Sequence, residues 1–335
     1  MHCSIALTGA LLALATQAIG RPGVNHQIAK KTERTTSPEG CLIVRGSDTG
    51  SGEYSKPSEA LEALGSGTEE ACIFIYSGTY DDYFRIEYGG PLTFYGYTTN
   101  VESPADNTVT IQRRKSSSEA GDLDSSSVAS IRSANFKAYN INFHNTWGKG
   151  TQAVAVTARG EQQGYYACGF YGYQDTLYAH SGKQYYSNCY IEGAVDFIFG
   201  NAGAWFNQCT IASNGEGYIT ANSRETEDDP NWYVFDKSTI TTASGVSGLT
   251  EEVYLGRPWR ILARVMYQNC DLSDIIHPEG WTEMEEGATP IFEEYNNSGA
   301  GSDTSARKYL TPASEAVTRD QLWGSGWEEW VDMDW

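Results

Sequence analysis

The sequence is short of basic residues for its length. Among its 335 residues, Lys and Arg number 23 and Asp and Glu number 43, so the formal net charge is −20. Nucleic acids and anionic membrane surfaces attract basic proteins, and this balance therefore argues against both as partners.

Long apolar runs are also missing. The apolar run at residues 5–15 is too short to span a membrane. Small residues follow it around Ala18 and Gly20, which is typical of a signal peptide, although no Lys or Arg precedes it. We interpret residues 1–20 as a secretory signal peptide, residues 21–40 as a loose polar leader and residues 41–335 as a single domain. The protein is therefore expected to be secreted.

Patterns for metal binding and for helices are scarce as well. The sequence has no CxxC pair and no closely spaced histidines, so we expect no metal and no cofactor. A GxSxG motif, which would indicate a serine esterase, is absent. The one clear helix pattern follows Ser55, which we expect to cap it, and ends at Gly65.

Six cysteines remain once Cys3 is removed with the signal peptide, an even number that permits disulfides in a secreted chain. The spacing favours a bridge between Cys189 and Cys209, and Cys41 with Cys72 is a second candidate. Asn296 begins the only sequence motif for N-glycosylation that we identify, in a polar segment.

What the sequence does contain is a long series of short β segments with a regular step. Cys168, Cys189 and Cys209 follow one another at 21 and 20 residues, and Asp175 and Asp196 are also 21 apart. A β-sandwich is the alternative, but this step favours a coiled parallel β-structure, whose successive turns stack at roughly 4.8 Å. We expect the helix to cover the N-terminal end of the coil and the C-terminal tail to pack on it.

The same step brings a set of polar side chains together. Gln152 lies 22 residues before Gln174, so Gln152, the pair Gln174 and Asp175, and Asp196 are predicted to line up over three coils. Amides can donate to an oxyanion, and two neighbouring carboxyl groups can act as nucleophile and acid/base with coupled titrations. Arg257 is a candidate to keep one of them ionised. The alternatives are turn aspartates, stacked amide ladders and an arginine in a surface turn.

At these residues the sequence resembles the pectin methylesterases. Four segments look like signature blocks of that family, in the family's order: QAVAV at 152–156, QDTL at 174–177, DFIFG at 196–200 and LGRPW at 255–259. Residues 78–80 resemble the start of a fifth block, in which Asp82 replaces the family's usual glutamate. The similarity extends from about Cys41 to the C-terminus and is closer in style to fungal than to plant members.

The resemblance implies an all-β, right-handed parallel β-helix that hydrolyses the methyl esters of homogalacturonan (pectin) in the plant cell wall. It implies Asp196 as nucleophile, Asp175 as acid and base, Gln152 and Gln174 as oxyanion donors, and Arg257 as the partner of Asp196. Further implied residues line the cleft against the sugar rings: Trp259, Tyr178, Phe199 and Trp281. A packing role is the alternative for these aromatics.

We expect a monomer with pectin as its partner. Other pectin-active β-helix enzymes, a polygalacturonase or a pectate lyase, are alternatives, because glycoside cleavage also uses paired carboxylates. A non-catalytic polysaccharide-binding β-helix is another. The charge of −20 predicts that a de-esterified, polyanionic product is held weakly.

Overall fold

The computed structural model describes Met1 and residues 32–335. The remainder of the predicted signal peptide and residues 21–31 of the predicted leader lie outside the described residues, so that part of the segmentation stays a prediction. Residues Thr32–Trp335 form one compact unit. No helix in the described part of the chain is long and apolar enough to cross a membrane.

Short strands dominate the described residues. In chain order they are β1 (Leu42–Val44), β2 (Ala71–Ile75), β3 (Gly78–Asp81), β4 (Phe84–Ile86), β5 (Leu92–Gly96), β6 (Val109–Arg113), β7 (Ala129–Ile131), β8 (Phe136–Tyr139), β9 (Asn142–Asn145), β10 (Val156–Ala158), β11 (Gln163–Tyr166), β12 (Gly169–Tyr171), β13 (Leu177–Ala179), β14 (Lys183–Ser187), β15 (Tyr190–Gly200), β16 (Gly203–Asn207), β17 (Thr210–Asn222), β18 (Tyr233–Asp236), β19 (Thr239–Thr242), β20 (Val253–Pro258), β21 (Arg264–Gln268), β22 (Asp271–Leu272), β23 (Ile291–Tyr295) and β24 (Leu310–Pro312). The α-helices are α1 (Pro57–Leu64), α2 (Ser117–Ala120), α3 (Leu123–Ser126) and α4 (Arg319–Trp323), and 3₁₀ turns lie at Pro104–Asp106 and Trp327–Glu329.

The strands form three parallel faces of one coil. The first face runs β1-β2-β5-β8-β11-β14-β16-β18-β21-β23-β24. The second contains β3, β6, β9 and β12, and the third contains β4, β7, β10 and β13. The long strands β15 and β17 belong to both of these faces, with their first halves on the second and their second halves on the third. This is the predicted parallel β-helix.

A ladder of left-handed residues forms the corner between the first and second faces. From β8 onward, the coils turn there through one residue with φ between 47° and 54°, and these residues are Asn140, Ala167, Asn188, Gln208, Lys237, Asn269 and Asn296. A single residue in this conformation turns the chain sharply, and asparagine tolerates it better than most. The regular spacing of the cysteines follows from this corner, because Cys168, Cys189, Cys209 and Cys270 come directly after it and are buried.

The predicted bridge between Cys189 and Cys209 is wrong. Both are free thiols, and the bridge forms instead between Cys41 and Cys72. The Cys189 sulfur lies 3.3 Å from the carbonyl oxygen of Tyr165, and the Cys209 sulfur lies 3.5 Å from that of Tyr186. In the closed interior the two thiols thus have backbone acceptors, whereas Cys41 and Cys72 are partly exposed.

Aromatic rings stack along the inside of the first face. Tyr165, Tyr186, Phe206, Phe235 and Tyr267 stand one coil apart, with centroid separations from 4.4 to 4.9 Å and interplanar angles of 10° or less. Such contacts add to the hydrophobic burial of each ring and hold successive coils in register.

Helix α1 packs on the first coils, against β1, β2 and β4. It ends at Gly65 as predicted, but Ser55 does not cap it. The N-cap is Lys56, which makes no side-chain cap, and the carboxylate of Asp82 accepts a hydrogen bond from the Ser58 backbone N–H at 2.8 Å. The carboxylate of Asp82, from a later segment of the chain, therefore takes the place of a capping side chain at the start of the helix.

Both ends of the unit Thr32–Trp335 pack on the coil. The C-terminal tail buries Leu322, Trp323 and Trp330 against the outside of the first face, and Trp323 donates to the Gly203 carbonyl at 2.7 Å. The prediction of a loose leader up to residue 40 is wrong for its described part. Arg34 pairs with Thr98 through the backbone, and its guanidinium donates to the Gly96 carbonyl.

Candidate active site

Two aspartates in left-handed backbone conformations lie on adjacent coils. Asp175 precedes β13 with φ of 64°, and Asp196 lies within β15 with φ of 50°. Gln174 bridges to Val195, so the two acids occupy corresponding positions of successive coils. Positive φ is unfavourable for residues other than glycine, and it is found disproportionately at functional sites.

Irregular pairing between β15 and β17 surrounds Asp196. The register jumps between Gly193 and Val195, where β17 carries extra residues at 214–217. It jumps again between Val195 and Ile198, where the extra residue is on β15, because Asp196 and Phe197 lie opposite the single residue Ile219. Bulges of this kind bend a strand and change the direction of its side chains.

Arg257, in β20, binds Asp196 with two hydrogen bonds. Its Nε donates to Oδ1 at 2.8 Å and its second terminal nitrogen donates to Oδ2 at 2.6 Å. The guanidinium also lies 3.8 Å from the ring centroid of Tyr218. This forked, largely buried arrangement holds the Asp196 side chain in one orientation.

Asp175 lies in a different electrostatic environment. Its side chain has no ion-pair partner among the described residues. Burial, together with repulsion from Asp196, raises the pKa of the Asp175 carboxyl well above its usual range, and Arg257 opposes this rise less strongly. The two acids therefore differ, since Asp175 is buried and favours its protonated form whereas Asp196 is bound by a guanidinium.

Two amides complete the polar group. The Oε1 atom of Gln152 accepts from the hydroxyls of Ser117 at 3.1 Å and Thr151 at 3.4 Å, which leaves its NH₂ group as a donor. Gln174 immediately precedes Asp175, and its backbone carbonyl accepts from the N–H of Ala153.

All five predicted polar residues line one cavity of about 180 Å³. They are Gln152, Gln174, Asp175, Asp196 and Arg257, and the other lining residues are Leu123, Phe199, Ala221, Trp259 and Met284. Tyr178 stacks on Phe199 at 4.3 Å, and Trp259 lies 5.9 Å from Phe199. Phe199 is only 2% exposed, whereas Tyr178 and Trp259 are half-buried and present more surface.

Trp281 does not line this cavity, and the prediction that it contacts sugar is wrong. Its side chain is fully buried, stacks on Phe292 at 4.2 Å and donates to Glu294 at 3.1 Å. The backbone of Trp281 pairs with Gly256, and this turns the indole into the coil.

Comparisons with known proteins identify the family. The sequence profile of the family described as Pectinesterase matches residues 43–323. The chain belongs to the pectinesterase family. It is 57% identical over 303 residues to pectinesterase A of Emericella nidulans, covering 90% of this chain and 92% of that protein. It is 56% identical to the probable pectinesterase A of Aspergillus niger, covering 97% and 98% of the two chains.

A solved structure extends the comparison to three dimensions. The crystal structure of the pectin methylesterase from Aspergillus niger superposes with a TM-score of 0.88 at 56% identity, covering 90% of this chain and 100% of that one. The family is therefore shown with its parallel β-helix, and the enzyme class is that of a carboxylic ester hydrolase with pectinesterase activity.

Four neighbours of this pectinesterase site were not predicted. Tyr218 lies 22 residues after Asp196, so the coil step could have placed it beneath Arg257. Ser117, Leu123 and Met284 belong to α2, α3 and a loop, which lie outside the repeat, and no spacing in the sequence points to them.

Proposed function

We propose that Asp196 is the nucleophile in the hydrolysis of methyl esters of homogalacturonan, with Asp175 as acid and base. The observation that carries the proposal is the contrast between the two acids, one held by Arg257 in a forked ion pair and one buried without a cation of its own.

In the first step, an Asp196 carboxylate oxygen bonds to the ester carbonyl carbon. The NH₂ groups of Gln152 and Gln174 donate to the resulting oxyanion. When the tetrahedral intermediate collapses, the bond to the methoxy oxygen breaks, and Asp175 gives that oxygen its proton, so methanol leaves.

In the second step, the ionised Asp175 takes a proton from a water molecule, whose oxygen attacks the polymer's carbonyl carbon. The bond to Asp196 breaks, and the polymer leaves with a free carboxyl group. Arg257 holds the Asp196 carboxylate for the next cycle. Trp259 and the exposed part of Tyr178 contact the sugar rings, while Phe199 supports Tyr178 from below and offers the substrate little surface.

The proposal includes the location and the partners of the enzyme. We expect a secreted monomer that acts on pectin in the modification or degradation of plant cell walls, with no nucleic-acid or membrane partner. The acidic chain and the predicted signal peptide support this assignment.

One substrate comparison separates this function from its rivals. The purified protein is incubated with highly methylated pectin and, separately, with unmethylated polygalacturonate. We expect methanol from the first and no cleavage of either chain. An unsaturated product would indicate a lyase, new reducing ends a glycoside hydrolase, and binding without any product a carbohydrate-binding protein.

A further inference from the structure

A second cavity lies beside the active site, and several basic side chains line it. Its volume is about 350 Å³, and its lining includes Tyr83, Arg85, Arg113, Lys115, Glu119, Asp124 and Ser130. Helix α3 separates the two cavities, because Leu123 faces the active site while Asp124 and Ser125 line the second cavity.

The position of this cavity follows from the register of the third face. Arg85 pairs with Ser130, Ser130 with Thr157, and Thr157 with Tyr178. Ser130 is therefore two coils from the rung of Tyr178, which corresponds to roughly 10 Å along the coil axis. A polymer lying along this face over Tyr178 reaches the second cavity a short distance from the ester.

Two acids line the cavity, and the more buried one, Asp124, is already neutralised. Asp124 binds Arg132 at 2.6 Å and accepts from the Ser130 hydroxyl at 2.6 Å, and Arg85 lies 3.8 Å away. Lys115 has only a loose contact with Glu119 at 3.9 Å, near the solvent.

Arg113 has no acidic partner within ion-pair distance in the part of the chain that the structure describes. One terminal nitrogen donates to the carbonyls of Ser125 and Ser127, both at 3.0 Å, and the guanidinium lies 3.9 Å from the ring centroid of Tyr83. These contacts fix the side chain and leave its other donors available. A positioned, half-buried cation of this kind is suited to binding a carboxylate.

We propose that the second cavity is a subsite for a free carboxylate of the polymer, that is, for a galacturonate unit that has already lost its methyl group. This inference rests on the proposed function. A methyl ester carries no charge for Arg113 and Arg85 to bind, so the subsite favours attack on esters that lie near an existing acid. The net charge of −20 repels the polyanion as a whole, whereas this cavity attracts one unit locally.

Competition by product tests the proposal. Unmethylated oligogalacturonate is used as inhibitor of methanol release from fully methylated pectin, at low salt. We expect its inhibition constant to rise about tenfold in Arg113→Gln and severalfold in Arg85→Gln. The same variants should lose preference for half-methylated over fully methylated pectin, measured as the ratio of the two kcat/KM values.

Arg114→Gln is the matched control, because it removes the same charge from an exposed neighbour that contacts Trp147 and does not line the cavity. Its inhibition constant should stay within twofold of the wild type. If Arg113→Gln does not fold, Arg85→Gln combined with Lys115→Gln decides the matter. Unchanged inhibition in the folded cavity variants, or an equal change in Arg114→Gln, would overturn the subsite.

A failure of the proposed function gives a different result from a failure of the subsite. In that case the wild type releases no methanol, and calorimetric titration of unmethylated oligogalacturonate into the same variants still reports on the cavity. Binding that weakens in Arg113→Gln and not in Arg114→Gln supports the subsite, and equal binding in all of them contradicts it.

Discussion

Asp175 and Asp196 differ in their neighbours rather than in their chemistry. Arg257 compensates the buried charge of Asp196, and Asp175 has no cation of its own. A buried carboxyl group without such a partner holds its proton more tightly in the folded than in the unfolded state. In the proposed mechanism, one residue type therefore supplies both the nucleophile and the acid.

Replacing Asp175 with asparagine should lower activity and raise stability. We expect kcat for methanol release to fall roughly 100- to 10,000-fold, because proton transfer to and from the reacting oxygens is lost. In the wild type, the pKa of Asp175 is higher in the folded than in the unfolded state. The stability that Asp175 contributes is therefore present below its unfolded pKa of about 3.8, and it is lost as the pH rises through the folded pKa.

Thermal unfolding at a series of pH values checks the direction of this pH dependence. Asparagine does not ionise, so the melting temperature of Asp175→Asn should match the wild type below about pH 3.8 and exceed it increasingly as the pH rises. A gap that shrinks with rising pH would contradict the proposed environment of Asp175.

At the scale of elements, the repeat explains which parts of the site were predictable. The distance of 21 residues from Asp175 to Asp196 is one coil, and the sequence showed it directly. Leu123 and Met284 reach the cavity from outside the repeat, so their positions depend on tertiary packing. Trp281 was predicted wrongly because a family motif locates the chain but not the direction in which the indole points.

Helix α1 offers a test of an element held by tertiary contact. Asp82→Ala removes the carboxylate that accepts from the Ser58 N–H, and we expect a loss of about 1 kcal/mol in the free energy of unfolding. Urea unfolding measures it. Asp81→Ala is the control, because Asp81 is exposed and accepts from the Gln112 side chain, and it should change stability much less. Equal losses in both variants would argue against the cap.

At the scale of the whole molecule, the coil fixes a ladder of thiols in the interior and one bridge at the N-terminal end. The sequence predicted the step between cysteines, but it favoured the pair Cys189 and Cys209 over the second candidate, Cys41 and Cys72, which forms the bridge. Both Cys189 with Cys209 and Cys41 with Cys72 lie on adjacent coils, so spacing alone does not separate them. The two pairs are distinguished by the burial of Cys189 and Cys209 and by the contacts of their thiols with backbone carbonyls. Both features depend on the folded coil and cannot be read from the spacing.

Peptide mapping with a thiol-alkylating reagent tests this arrangement. In the native protein we expect a linked peptide containing Cys41 and Cys72, with the four buried cysteines alkylated only after denaturation. The bridge closes a loop with a sequence separation of 31, so the double variant Cys41→Ser, Cys72→Ser should lose about 3 to 4 kcal/mol of unfolding free energy. A linked peptide containing Cys189 and Cys209 would contradict the structure.

The most direct test of the account is methanol release from methylated pectin by Asp196→Asn beside the wild type, with near-ultraviolet circular dichroism to verify folding. Asp236→Asn serves as a control, because Asp236 is also buried but lies outside the cavity. We predict a fall of at least roughly 10,000-fold in kcat for folded Asp196→Asn and near-normal activity in the control. A folded Asp196→Asn that releases methanol at a rate close to the wild type would contradict the assignment of the nucleophile.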